Sequence, residues 1–474
     1  LFTGSTLRGF GSYLLPFLLA LVSRAILFAN WLQSPLRYYG TIRGLDMVKL
    51  LRFGREFAAG KSPFSIYKCV LAAALALGGG EFYPEVVIAL QMLLGIVTTL
   101  LVVRVCRQLS PNRILAATAG CLSALYAPAL LYESLHLRES VFLCVATLSL
   151  SLVLTCREHD FRGRWALLAG TAAFMPPLVR FSGLLWTILV GAWVVGHILF
   201  GNRTAAEPCP FCGSIVRKRV GKALVTGLVY ALGILLLAAP VSVYNYARCN
   251  QILPVRTNLG YALEVGRQAT PDSLDQPAEC VEEKSKVTSA AGNKTGIFTQ
   301  AVSYGRKFLA IFRAFEITNN VNYYFVRNLL FPLPYMIGPL LLLPLASLGL
   351  LLIGGQANMR RRYAPVFLYL LSFIVPMCVF VPLGRYRLIL LPALALAASY
   401  PLVCLPAALR QPEKRRLKLL LPVTAYLLLL TWAIPRDVPV RDEDFLVLGL
   451  ALEHQPVTGI SQIEACYRNA RQLR

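Results

Sequence analysis

Acidic residues are what this chain has least of: 23 Asp and Glu against 47 Lys and Arg, with 4 His, in 474 residues. Charge of either sign is missing altogether from stretches such as Pro339–Ile353, and 57% of all residues are hydrophobic. A membrane span needs roughly 20 apolar residues, so most of the chain is committed to a bilayer and a soluble domain is excluded. The net charge of +24 would suit nucleic acid only with a soluble basic face and aromatics between its cations. No such face is present, and nucleic acid is excluded as a partner. The 12 cysteines are scattered, several within apolar runs, where they pack as small apolar residues. Cys209-Pro210-Phe211-Cys212 is half of a zinc ribbon, but no second pair follows at ribbon spacing. A loop with a reduced dithiol and no metal is expected there.

What is present is an all-α polytopic pattern of about 11 transmembrane helices. Spans are predicted near 9–30, 84–103, 114–131, 140–155, 165–179, 183–200, 223–244, 329–353, 364–382, 388–408 and 418–433. The pair around Arg180 also fits a re-entrant hairpin. With the N-terminus inside, cations gather on the cytoplasmic side, among them Arg104, Arg107, Arg157, Arg162, Arg217, Arg219, Arg360, Arg362 and Lys414, as the positive-inside rule requires. Two long outer loops, 31–83 and 245–327, break the rule. The first holds Arg37, Arg43, Lys49, Arg52, Arg55, Lys61 and Lys68. Long loops cross regardless of charge, yet cations held against a membrane also suit a phosphate-bearing lipid. The first residue is Leu, so the start is expected to be missing or processed. No cleavable signal precedes the first span, which is long enough to anchor.

The few acids then repay individual weighing. Asp46 opens a helical pattern over Gly44–Ala58 and lies on the flank of its apolar arc, away from Lys49, Arg52, Arg55 and Glu56. It is either a first-turn acid favoured by the helix dipole or a base sharpened by partial desolvation. Glu133 and Glu139 belong to Tyr132-Glu133-Ser134-Leu135-His136-Leu137-Arg138-Glu139, a short segment at the mouth of the bundle. Either acid serves as a surface charge, but Glu139 opens the next span, a costly place for an unpaired carboxylate. Arg24 within the first span and Arg180 between two spans need a partner, water or the interface. Gly384-Arg385-Tyr386-Arg387 reads as interfacial anchors or as a phosphate clamp, since a guanidinium fork bonds two oxygens at once.

In order along the chain, these pieces resemble the integral-membrane glycosyltransferases of the GT-C type. The nearest branch is the protein O-mannosyltransferase and lipid A aminoarabinose transferase group. Leu45-Asp46 and then Gly60-Lys61-Ser62-Pro63-Phe64 are similar to the family's first-loop acid and its Lys-Pro-Pro-Leu element, with Ser62 in place of the first proline. Glu139 is similar to the acid of the second outer loop, and Val179-Arg180-Phe181 to a Thr-Arg-Pro turn lacking its proline. Arg385-Tyr386-Arg387-Leu388 through Pro392 resembles an Arg-Phe/Tyr-Arg-Leu-Pro-x-x-Pro signature. Asn245–Arg248 with Asn258–Tyr261, and Phe315-Glu316-Ile317-Thr318-Asn319-Asn320, resemble two further segments of bacterial members. The resemblance spans roughly 8–433. A tail, 434–474, contains what looks like one degenerate tetratricopeptide helix pair.

The resemblance implies transfer of a sugar from a polyprenyl-phosphate donor to a protein, lipid or glycan acceptor, with inversion. The site would lie on the outer, periplasmic face of a bacterial inner (plasma) membrane. Asp46 is then the base, and Glu139 orients the acceptor or binds a divalent cation, the one cofactor the resemblance leaves open. Lys61, Arg385 and Arg387 bind the donor phosphate, with Arg180, Glu133 and Glu316 as further candidates. The segment 251–313 is lid and acceptor platform. Three other classes compete. A transporter would show internal repeats, and none is found. An O-antigen ligase or polymerase keeps arginines and a histidine in its late loop, and here that loop has no histidine. The third is a scaffold subunit of a larger complex.

Overall fold

A computed structural model describes residues 4–42, 45–78, 84–200, 213–255, 263, 266, 297–313, 316–317, 321–409, 425, 441–455 and 460–473. Among these residues the secondary structure is helical, with one isolated bridge between Tyr126 and Ile337. Among the described residues, seven helices are long and apolar enough to cross a membrane: Gly11–Gln33, Pro84–Leu109, Glu139–Glu158, Phe181–Phe200, Arg219–Cys249, Ala357–Val379 and Gly384–Cys404. The chain is a multi-pass membrane protein.

The elements are α1 (Gly4–Gln33), α2 (Asp46–Ala58), α3 (Ile66–Leu77), α4 (Pro84–Leu109), α5 (Arg113–Ala124), α6 (Ala127–Glu133), α7 (Glu139–Glu158), α8 (Arg164–Phe174), α9 (Leu184–Phe200) and α10 (Gly213–Cys249). After the long connection come α11 (Ile297–Phe312), α12 (Tyr323–Leu329), α13 (Pro339–Gly354), α14 (Ala357–Val379), the single turn α15 (Gly384–Arg387) and α16 (Leu391–Leu409). Two further helices, α17 (Asp442–Glu453) and α18 (Ile460–Leu473), follow.

At the centre, α4, α5, α7 and α16 pack on one another, while α1, α9 and α10 are peripheral. The apolar window of α7 is 78% buried and that of α10 only 22%, and the open face of α10 is Leu224, Val225, Leu228, Leu232, Leu235 and Leu236. Such a face has no reason to meet water and suits hydrocarbon. Where α8 and α10 cross, Gly170 lies against the carbonyl of Tyr230 and Gly233 against that of Leu167. A Cβ at either glycine would collide with backbone, so the close crossing depends on the missing side chain.

Among the described residues fewer unbroken spans are found than the eleven predicted, because several runs are divided and one lies outside those residues. The run 114–131 divides at Leu125 and Tyr126, where Tyr126 is extended. Its freed backbone groups are satisfied across the bundle: Ala127 donates to Ile337 and Ile337 donates to Leu125, each at 2.9 Å. The run 165–179 ends as helix at Phe174, before Pro176-Pro177, because proline lacks the N–H that a continuing helix needs. In 329–353 continuous helix begins at Pro339. The run 418–433, the Cys209–Cys212 pair, the Asn258–Tyr261 motif and most of the expected lid fall outside the described residues. Irregular backbone inside a membrane protein is tolerated where it is buried in protein or lines a cavity, and the breaks at Arg180 and Phe380–Leu383 border the cavity described next.

The tail helices α17 and α18 pack on each other, and α17 also packs on the short turn Pro35–Tyr38. Asp444 accepts from Asn322 Nδ2 at 2.9 Å, and Phe445 meets Phe325 edge-on with ring centres 5.1 Å apart.

Candidate active site

Helix starts and helix breaks bring the marked residues together. Asp46 is the first residue of α2, and the residue before it, Leu45, has no side chain that can cap. The Asp46 carboxylate reaches across the fold instead: Oδ2 accepts from Arg385 Nη1 at 3.0 Å. Glu139 is the first residue of α7 and is 4% exposed. Its Oε1 lies 3.5 Å from Arg180 Nη1 and 3.9 Å from Arg385 Nε, and its Oε2 makes no hydrogen bond among the described residues. One guanidinium is thus shared by the two acids singled out in the sequence. Tyr386 packs against the cluster, with the Arg180 guanidinium 3.7 Å and that of Arg385 5.0 Å from its ring centre. Its hydroxyl lies 3.1 Å from Arg385 Nη2.

A cavity of about 610 Å³ adjoins this cluster. Its walls are largely apolar, with Phe53, Phe64, Phe142, Phe373, Met377 and Phe380 among them, and its charged lining is Lys68, Arg138 and Arg180 beside Tyr386. Lys68 sits one turn into α3, where its Nζ donates to Ser62 Oγ at 2.5 Å and to the Pro63 carbonyl at 2.8 Å. Burial, reinforced by the neighbouring Arg180, pushes the Arg138 guanidinium below its ordinary value. The phenol of Tyr67 also lines the cavity, and its hydroxyl is buried without a hydrogen-bond partner among the described residues. Among the described residues, Arg385 and Arg180 thus face the two carboxylates, while Lys68 and Arg138 add cations in the wall of the chamber, which is lined by Arg180 but not by Asp46, Glu139 or Arg385. That surplus suits an anionic ligand with an apolar part.

The remaining candidates are placed elsewhere. Lys61 is exposed and does not line the cavity; Lys68 occupies the wall expected for it, because the turn at Gly60 sends Lys61 outward and α3 carries Lys68 back. Arg387 is enclosed, with Nη2 2.8 Å from Glu316 Oε1, and it does not line the cavity. Glu133 pairs with Arg24 at 2.8 Å, both side chains 3% exposed, apart from the chamber. Sequence reasoning passed over Lys68, Arg138, Tyr386 and Tyr67 as individual candidates. A usable signal existed for Lys68, the lone charge in the apolar run Ile66–Leu77.

The described residues do not fit a divalent cation. Among the described residues no three His, Cys, Asp or Glu side chains converge, and the place between Asp46 and Glu139 is taken by a guanidinium.

No protein-family model matches the chain, and no curated protein does. Solved structures do resemble it. One is the archaeal oligosaccharyltransferase AglB from Archaeoglobus fulgidus in complex with an inhibitory peptide and a dolichol-phosphate. It shares 13% identity at a TM-score of 0.45, over 98% of this chain and 60% of that one. Another is ArnT from Cupriavidus metallidurans bound to undecaprenyl phosphate, with 14% identity and a TM-score of 0.46 over 96% of this chain and 74% of that one. These neighbours are glycosyltransferases of the GT-C type. The apo form of the A. fulgidus oligosaccharyltransferase is similar at 12% identity and a TM-score of 0.42. This chain spans about three-fifths of the length of the archaeal enzyme.

Proposed function

We propose that this protein transfers a sugar from a polyprenyl-phosphate donor to the hydroxyl of a protein, lipid or glycan acceptor, with inversion, on the outer face of a bacterial plasma membrane. The observation that carries the reading is the pair of carboxylates sharing Arg385 next to an apolar chamber with Lys68, Arg138 and Arg180 in its wall. The apolar lining takes the first prenyl units, and the cations take the phosphate. Asp46, half exposed at 38%, accepts the proton of the acceptor hydroxyl. The hydroxyl oxygen bonds to the anomeric carbon as the bond from that carbon to the phosphate oxygen breaks. The departing electron pair stays on the phosphate, where the fixed guanidinium groups stabilise it. Glu139 holds Arg180 and Arg385 in place. A phosphate arriving at Arg385 competes with Asp46 for that guanidinium and so frees the carboxylate as it is needed.

The test is Asp46→Asn, which keeps the volume and removes the proton acceptor. Transfer should fall by ~10²-fold or more, while affinity for a polyprenyl phosphate should not weaken and should rise modestly, because the phosphate no longer competes with a carboxylate for Arg385. Full activity in Asp46→Asn would move the base to another acid, Glu139 first. If neither acid matters to transfer while membrane abundance or complex assembly changes, the protein is a scaffold.

A further inference from the structure

Of the two arginines in the turn Gly384–Arg387, the second points away from the chamber. Arg387 is 4% and Glu316 2% exposed. Besides its pair with Glu316, Arg387 donates through Nη1 to the carbonyls of Ile311 at 3.2 Å and Arg313 at 2.6 Å, where α11 ends. The backbone repeats the contact: the Gly384 N–H donates to the Ile317 carbonyl at 3.1 Å. Gly384 is also the point at which a Cβ would strike the Glu316 carboxylate. Glu316 is held from two other directions as well. Its N–H donates to the Tyr324 hydroxyl at 3.0 Å, and its Oε1 lies 3.5 Å from the Tyr126 hydroxyl at the α5–α6 break.

We propose that Arg387 and Glu316 are positioning residues, a latch that fixes the turn Gly384–Arg387 against the end of α11 and so sets Arg385 between Asp46 and Glu139. This rests on Arg385 serving the donor phosphate. A buried pair of this kind is strongly resistant to losing one partner, so Arg387 stays with Glu316 and does not turn to a ligand. The latch also ties α11 and the segment between α11 and α12 to the site, since Arg387 bonds the end of α11 and Glu316 belongs to that segment.

The sign of one substitution separates the latch from a direct phosphate contact. If Arg387 bound phosphate, Glu316→Gln would remove a competing negative charge and tighten binding. If the pair is a latch, Glu316→Gln loosens the turn and weakens binding. The experiment uses the full chain in lipid nanodiscs and compares Glu316→Gln, Arg387→Gln, the double variant, Arg387→Lys, and Gly384→Ala, which keeps every charge. Two quantities are read: amide exchange in a peptide spanning residues 381–390, and affinity for a polyprenyl monophosphate by native mass spectrometry.

Glu316→Gln, Arg387→Gln and Gly384→Ala should each speed exchange at the turn by roughly tenfold, with peptides of α7 unchanged. Each should weaken phosphate-lipid binding roughly five- to tenfold, and the double variant should be no worse than the poorer single one. Arg387→Lys should recover part of both. Tighter or unchanged binding in Glu316→Gln with weaker binding in Arg387→Gln would overturn the latch, and so would unchanged exchange at the turn. Should a charge variant not fold, Gly384→Ala and Arg387→Lys decide by the same two readings. A wild-type protein that binds no polyprenyl phosphate defeats the donor reading, and the exchange data then judge the latch alone.

Discussion

Arg24 and Arg385 each meet a glutamate inside an apolar bundle, but their surroundings differ. Arg24 and Glu133 lie 2.8 Å apart with both side chains 3% exposed, and Arg24 also donates to the carbonyls of Ala20 and Ala124. One cation answers one anion, and the helix break after Ala124 gains a donor for its loose carbonyl. Around Arg385 the charges of the described residues do not balance: Asp46 and Glu139 meet Arg385 and Arg180, Arg138 and Lys68 add two cations in the wall of the adjoining chamber, and Asp46 is 38% exposed. A sealed pair whose charges balance calls for no further charge and holds the fold. A surplus of cations among the described residues, beside an open chamber, suits an anionic ligand.

That contrast can be broken most directly through stability. Arg24→Met leaves Glu133 buried and unpaired, which should cost about 3–5 kcal/mol. Arg385→Met should lower the melting temperature by less than half as much, because Arg180 still answers Glu139 and water reaches Asp46. Equal losses in the two variants would show that the cluster around Arg385 is also structural.

A second effect concerns pH on the sealed side. His136 is buried edge-on to Trp31, with ring centres 6.3 Å apart, and burial pushes its imidazole down from 6.5 to about 4. The folded value lies below the unfolded one, so between those two pH values the unfolded chain binds the additional proton. Stability is full above pH 6.5 and is lost as the pH falls toward 4, by on the order of 2–3 kcal/mol. Thermal melts at pH 7 and 4.5 should show this slope in the wild type and a flatter one in His136→Gln. A slope of equal size in both would assign the acid sensitivity to other groups.

The smallest effect sharpens the open side. Lys68→Met should weaken polyprenyl-phosphate binding by about tenfold, or ~1.4 kcal/mol, and Lys61→Met should leave it unchanged. The reverse order would return Lys61 to the phosphate side and disqualify the cavity wall as the anion site.

Much of this arrangement was legible before any coordinates. Long uncharged runs announced helices in a bilayer, and the rarity of acids made Asp46 and Glu139 conspicuous. Less was legible where a residue's meaning depends on a distant partner. Arg385 and Arg387 sit in one short motif and look equivalent there, yet one faces two carboxylates near the chamber and the other is enclosed by Glu316 and the end of α11. Lys61 stood out by its motif and Lys68 only as the lone charge of an apolar run, so which of them reaches the chamber could not be read from the sequence. A turn at Gly60 followed by the register of α3 sends one outward and the other to the cavity wall.

Burial in lipid is a property that each stretch of chain carries by itself, because transfer of apolar surface is nearly additive along the sequence. Composition alone therefore determined that this protein is helical and embedded in a membrane, and that its few carboxylates are costly enough to matter. Ion pairing falls off over a few ångströms, so which cation meets which acid waits until helices far apart in sequence have packed. Only the tertiary structure decided that Arg24 and Glu133 close on each other, that Arg387 is spent on Glu316, and that Asp46 and Glu139 share Arg385 at the edge of a chamber.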